Sequence, residues 1–174
     1  MMRREGSHTG AMVFAGAVGV ILFAVLSLRG GGTPAAQPTP TPTATAPLPK
    51  LADLDSAWVD QTPPAEIAVG AEATITFKFR NTGRAAWTRG TGSEASLAFT
   101  GTAATFDPKM AVNWPAASTP ALQTEDVVAP NEIGTFTFKV KGVAPGTYRI
   151  DVRPTVAAVG TLRDQGVYTE VTVR

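Results

Sequence analysis

Ala73-Thr74-Ile75-Thr76-Phe77-Lys78-Phe79-Arg80 places apolar side chains at the odd positions and mostly polar ones at the even positions. Successive side chains of an extended chain point to opposite faces, so this period of two describes a strand with one buried and one wet face. The same alternation returns three times. Phe136, Phe138 and Val140 alternate with Thr135, Thr137, Lys139 and Lys141. Tyr148, Ile150 and Val152 alternate with Arg149, Asp151 and Arg153. Val167, Thr169, Val171 and Val173 alternate with Tyr168, Glu170, Thr172 and Arg174. Shorter strands are expected at 58–61, 66–69, 96–100 and 124–128. Turn residues punctuate the runs at Pro63-Pro64, Val69-Gly70, Asn81-Thr82-Gly83, Ala129-Pro130-Asn131 and Ala144-Pro145-Gly146. No long amphipathic helical period intervenes. About seven short strands in about 120 residues predict an all-β, immunoglobulin-like antiparallel β-sandwich over residues 51–174. Residues 101–121 fit no strand and are expected to form a long loop.

The chain before Leu51 has a different character. Ala11 to Leu28 is an unbroken run of 18 residues without a charge, with Arg3 and Arg4 before it and Arg29 after it. As a helix it would span roughly 27 Å, close to the hydrocarbon thickness of a bilayer. No small-x-small cleavage site follows closely, which favours an uncleaved anchor over a signal peptide. The expected organisation is a cytoplasmic tail at 1–10, a transmembrane anchor contacting the lipid bilayer at 11–28, and a stalk at 29–50. The excess of arginine before the run places the N-terminus inside and the C-terminal domain outside the cytoplasm. Six prolines and five threonines in residues 30–50 break both helix and sheet and leave an extended, semi-rigid chain.

Composition narrows the chemistry. There is no cysteine, and the only histidine is His8. Disulfides, thiolate metal sites, cysteine nucleophiles and the commonest general base are therefore missing from residues 51–174. That part carries a net charge of −2, against +3 for residues 1–50. It lacks the basic stripe that nucleic-acid binding needs. Gly30-Gly31-Gly32 neither follows a strand nor opens a helix, so no nucleotide is expected, and no cofactor. Asp53, Asp55 and Asp60 are the best candidates for Ca²⁺ ligands, but they lack the spacing and the internal glycine of a calcium loop and read as a solvated stretch before the first strand. Asp151, Asp164, Glu125 and Asp126 form no catalytic spacing and read as surface.

Several residues point to a family. Asp60-Gln61-Thr62, Phe77-Lys78-Phe79-Arg80-Asn81-Thr82-Gly83 and Trp87 resemble the Ig-like four-tryptophan (FW) domain of autophagy cargo receptors and its bacterial relatives. Ala129-Pro130-Asn131-Glu132 and Ala144-Pro145-Gly146-Thr147-Tyr148 follow in the same order. The resemblance runs from about Trp58 to Arg174, and its most specific element is the Asn81–Gly83 turn with Trp87 six residues past the asparagine. Of the four signature tryptophans only Trp87 is kept. Phe77 stands at the first place, Val152, followed by Arg153, at the third and Tyr168 at the fourth. The resemblance implies a divergent, non-catalytic interaction module with Asn81, Gly83, Trp87, Pro145, Gly146, Tyr148 and Tyr168 as its structural signature.

The remaining aromatics supply the candidate site. Trp58 is expected at a sandwich edge, and Trp87 is expected to plug one end of the core. Phe106, Met110 and Trp114 lie in the 101–121 loop. Exposed, they would form an interaction patch for a protein or a surface glycan; folded inward, they would pin the loop to the body. The function expected is adhesion or partner binding at the cell surface by a membrane-anchored module. A carbohydrate- or cell-wall-binding module is the alternative, and a small hydrolase the remote one.

Overall fold

The computed structural model describes residues 47–174. The expected tail, membrane anchor and residues 29–46 of the stalk lie outside the described residues. Among the described residues there are eleven strands, and the only helical turns are single 3-10 turns at Leu51–Asp53 and Pro108–Met110. No helix among them is long and apolar enough to cross a membrane.

In chain order the strands are β1 (Ser56–Gln61), β2 (Ala65–Ile67), β3 (Glu72–Asn81), β4 (Trp87–Thr88), β5 (Ala95–Phe99), β6 (Ala111–Val112), β7 (Val127–Val128), β8 (Ile133–Lys141), β9 (Gly146–Val156), β10 (Gly160–Thr161) and β11 (Tyr168–Val173). One sheet has the order β1-β3-β8-β6. The other has the order β10-β9-β11-β2, with β5 also on β9, and β4 pairs with β7. This is the Ig-like β-sandwich. The inward residues Ile75, Phe77 and Phe79 of β3 and Phe136, Phe138 and Val140 of β8 are all buried. So are Leu97, Ile150, Val152, Val156, Val171 and Val173 from the second sheet. Phe77 packs on Phe79 and Phe138, and Phe79 meets Phe136 edge-on, at ring separations of 6.1–6.4 Å. Each such side chain contributes about 1.5–3 kcal/mol through burial.

Three features depart from the sequence expectation. The sheets are antiparallel except where β2 runs parallel to β11. Pro63 and Pro64 cause this: without N–H groups they cannot extend the β1 ladder, so the chain leaves one sheet and joins the edge of the other. Secondly, β9 continues through Pro154 to Val156, whereas alternation is legible only to Arg153. The Pro154 carbonyl still accepts from the Leu162 N–H at 2.9 Å, so the strand keeps a ladder bond there. Thirdly, the 101–121 stretch is not all loop, since β6 pairs with β8. A two-residue strand is too short to show a period.

Two buried carboxamides order the irregular parts. Asn81 Nδ2 donates to the carbonyls of Ala85 (2.9 Å) and Val128 (3.0 Å), while its Oδ1 accepts from the Gly83 N–H (3.1 Å). Its backbone bonds Glu132 and Asn131. Gly83 lies so close to the preceding segment that a Cβ would stand 2.5 Å from the Asp53 carbonyl oxygen. The turn delivers Trp87, fully buried against Phe136. The second carboxamide, Gln123, accepts from the Ala95 N–H (2.9 Å) and donates to the carbonyls of Trp87 (3.3 Å) and Glu125 (2.9 Å). Glu125, expected at the surface, is half-buried, and its carboxylate accepts from the Thr135 N–H at 2.9 Å. Burial pushes its carboxyl up, but the hydrogen bonds from Thr135, its own backbone and Thr124 prevail and hold it below the ordinary glutamate value.

Asn81→Ala removes a buried donor pair and strands two carbonyls, so it should lower unfolding stability by about 3 kcal/mol in urea titration. Asn81→Asp should be at least as damaging, because a carboxylate faces those carbonyls with no proton to give. Glu125 has a depressed folded pKa. Its contribution is complete above the ordinary carboxylate range and lost as pH falls through the lower folded value. Urea midpoints measured across acid pH should therefore show wild type above Glu125→Gln near neutrality, with the gap closing on acidification.

Candidate binding groove

The residues singled out in the sequence fall in three places. Asn81, Gly83 and Trp87 build one end of the sandwich. Pro145, Gly146 and Tyr148 belong to the opposite end, after β8 has run back along β3. Gly146 adopts φ +153°, a backbone geometry that side chains disfavour, and the Tyr148 hydroxyl donates back to the Ala144 carbonyl at 3.1 Å. Tyr168 stands apart, exposed at the start of β11.

The Phe106–Met110–Trp114 patch is corrected by the structure. Phe106 and Met110 are 3% and 0% exposed. Trp114 is half-buried, stacks on Phe106 at 5.2 Å, meets Phe138 at 5.5 Å and donates its Nε1–H to the Lys139 carbonyl at 2.9 Å. Phe99 completes the cluster. Burying four aromatic rings against one another is more favourable than presenting them to water, and the one indole donor finds a partner. These side chains pin the loop to the body.

The exposed aromatics lie elsewhere. Trp58 on β1 and Tyr168 on β11 are 47% and 41% exposed. They line a groove of about 490 Å³ together with Gln61, Pro63, Pro64 and Glu170. That volume falls within the range of about 300–1,000 Å³ usual for ligand clefts. The groove exists because β1 borders one sheet and β11 belongs to the other, and two glutamines tie them together. Gln165 Oε1 accepts from the Trp58 N–H (2.8 Å), and its Nε2 donates to the Ser56 carbonyl (3.1 Å). Gln61 Nε2 donates to the Tyr168 carbonyl (2.9 Å). A register shift between Trp58 and Asp60 bends the strand here.

Tyr168 is held from outside. The Arg149 guanidinium lies over its ring at 3.6 Å from the centroid. Asp151 Oδ1 accepts from Arg149 Nε and Nη2 at 2.9 and 2.8 Å, and this bond raises the guanidinium further above its ordinary value. The Trp58 indole N–H, the Tyr168 hydroxyl and Gln61 Oε1 meet no partner among the described residues. Trp58 was expected at an edge, but its groove was not legible, since it depends on which strand of the other sheet lies beside β1. Tyr168 falls on the polar parity of its strand, so its outward position was.

Asp53, Asp55 and Asp60 do not converge. The Asp53 carbonyl accepts from Arg84 and Ala85. Asp55 faces Arg163 at 3.8 Å and Asp60 faces Lys78 at 3.7 Å. Among the described residues no group of three or more acidic or histidine side chains is placed to hold a metal ion.

No family model and no curated protein matches the chain. Among solved structures, a CARDB domain from Pyrococcus furiosus, crystallised in complex with di-metal ions, is similar at 15% identity and a TM-score of 0.44, over 70% of this chain and 94% of that one. A β-glucosidase from Listeria innocua is similar at 14% identity and a TM-score of 0.39, over 69% of this chain and 16% of its own length. AvmM, which catalyses macrocyclization in alchivemycin A biosynthesis, is similar at 13% identity and a TM-score of 0.38, over 70% of this chain and 89% of that one.

Acrylamide quenching of tryptophan emission should separate the three indoles. Trp58→Phe should abolish most of the readily quenched signal, and Trp87→Phe should leave it intact.

Proposed function

We propose that the chain is a membrane-anchored, extracytoplasmic Ig-like module that binds a protein or a cell-surface partner and catalyses no reaction of its own. The observation that carries this reading is the Trp58–Tyr168 groove: two large exposed aromatics on rigid backbone, one on each sheet. Exposed aromatic surface is unfavourable in water unless a partner covers it, and aromatic anchors dominate binding energetics. Glu170 is the only carboxylate lining the groove, whereas glycoside hydrolysis needs two carboxyls facing each other across about 5–9 Å. This supports binding rather than turnover.

Other features support the anchoring. The uncharged run Ala11–Leu28, bounded by Arg3, Arg4 and Arg29, has the length of a membrane span, and the Pro/Thr-rich residues after it suit a spacer. The resemblance to the FW domain of autophagy cargo receptors and its bacterial relatives supports a partner-binding role. It rests on Asn81, Gly83 and Trp87, which hold one end of the sandwich.

The test is topological. The full chain should stay in the membrane fraction after alkaline carbonate extraction, with residues 51–174 open to protease added outside sealed cells. Deletion of residues 11–28 should release a folded β domain into the soluble fraction. Extraction of the full chain by carbonate, or protection of the domain from external protease, would overturn the assignment.

A further inference from the structure

The groove's chemistry narrows its ligand. Of its lining residues only Glu170 is charged, and neither lysine nor arginine lines it. Arg149, the nearest base on β9, is taken up by Asp151 and the Tyr168 ring. A polyanion therefore finds no counter-charge here and meets the Glu170 carboxylate. The wall and rim offer what an uncharged polyhydroxylated ring takes up. The exposed Trp58 indole face carries the negative side of its quadrupole, against which the weakly positive C–H face of a sugar ring packs while leaving water. Around it stand one indole donor, one phenol, the Gln61 Oε1 acceptor and the Glu170 carboxylate, able to accept from neighbouring hydroxyls. Gln165 holds the Trp58 backbone and Arg149 holds the Tyr168 ring, so the strand positions that present both aromatics are set before a ligand binds.

We infer that the Trp58–Tyr168 groove is a binding site for an uncharged polysaccharide chain, one sugar ring stacking on Trp58 with its hydroxyls bonded to Gln61 and Glu170. The inference rests on the interaction-module reading and goes beyond it by naming the ligand class and the residues.

The full chain in detergent is titrated with neutral hexasaccharides of glucose, xylose and N-acetylglucosamine, and with polygalacturonate and a proline-rich peptide. Isothermal titration calorimetry is the readout, and the urea midpoint of each variant confirms its fold. At least one neutral hexasaccharide should give a saturable change. Trp58→Ala should weaken binding about tenfold or more, and Gln61→Ala and Glu170→Gln each about three- to tenfold, with Trp114→Phe neutral. Neutral saccharides giving no change, saccharide binding untouched by Trp58→Ala, or tighter binding of polygalacturonate or the peptide through Trp58 would each overturn the glycan assignment. Pull-down on isolated cell envelopes separates the two levels. Wild type and Trp58→Ala binding envelopes equally would sink the groove and spare the interaction module; wild type failing to bind envelopes would sink both.

Discussion

The side chain of Asn81 is the constraint on which the irregular half of the domain depends. It is fully buried, and its carboxamide uses both donors and its acceptor on three backbone groups of two separate segments. That arrangement sets the path from β3 through the 81–85 turn to Trp87 and fixes the position of β7 beside it. An apolar residue of the same size would leave buried carbonyls without donors, each costing about 1–3 kcal/mol. Gly83 completes the device: only a residue without a side chain lets the turn dock against the backbone of Asp53 and Asp55. The Trp87 ring then fills the space over Gly134, whose missing Cβ makes room for it. Its indole N–H meets no acceptor among the described residues, a loss that burial of so large a ring offsets.

Elsewhere the two layers are joined by glutamines. Gln123 ties the segment before β7 to β5 and β4 on one side. Gln165 and Gln61 tie β1 to the β11 region on the other. A carboxamide carries a donor and an acceptor in the geometry of a peptide group, so it can satisfy an edge strand much as a neighbouring strand would. By occupying the free edge of β1, Gln165 also removes a template for pairing with another chain. The same closure makes the groove. Where Pro63 and Pro64 turn the chain from one sheet to the other, they leave an apolar trough between β1 and β11, with Trp58 and Tyr168 on its walls. Fold and candidate site thus share a cause, the sheet change enforced by two consecutive prolines.

The long strands were legible because one buried face imposes alternation over many residues. Ile75, Phe77 and Phe79 announce β3, and Phe136, Phe138 and Val140 announce β8, as they lie in the structure. Strands of two residues, β4, β6, β7 and β10, have no period to read and owe their existence to the strand beside them. The Phe106–Met110–Trp114 cluster shows the converse difficulty. Three large apolar residues in a loop look alike in sequence whether they face water or the core. The deciding factor is the hollow formed by Phe99 of β5, just before the loop, and by Phe138 and the Lys139 carbonyl of the distant β8.

The sequence by itself determined the class of fold, because period-two sidedness leaves a chain of this kind only one economical way to hide its apolar faces, sheet against sheet. It also determined the special backbone positions, Asn81 with Gly83 and Pro145 with Gly146, since turn chemistry is local. Tertiary structure alone decided which strand lies beside which, that β2 runs parallel to β11, that Glu125 is a half-buried acceptor, and that Trp58 rather than Trp114 faces solvent. The β2–β11 pairing and the setting of Trp58 depend on residues roughly a hundred positions apart, such as Trp58 and Gln165, while Glu125 and Trp114 depend on β8, and no local pattern encodes a neighbour on another strand.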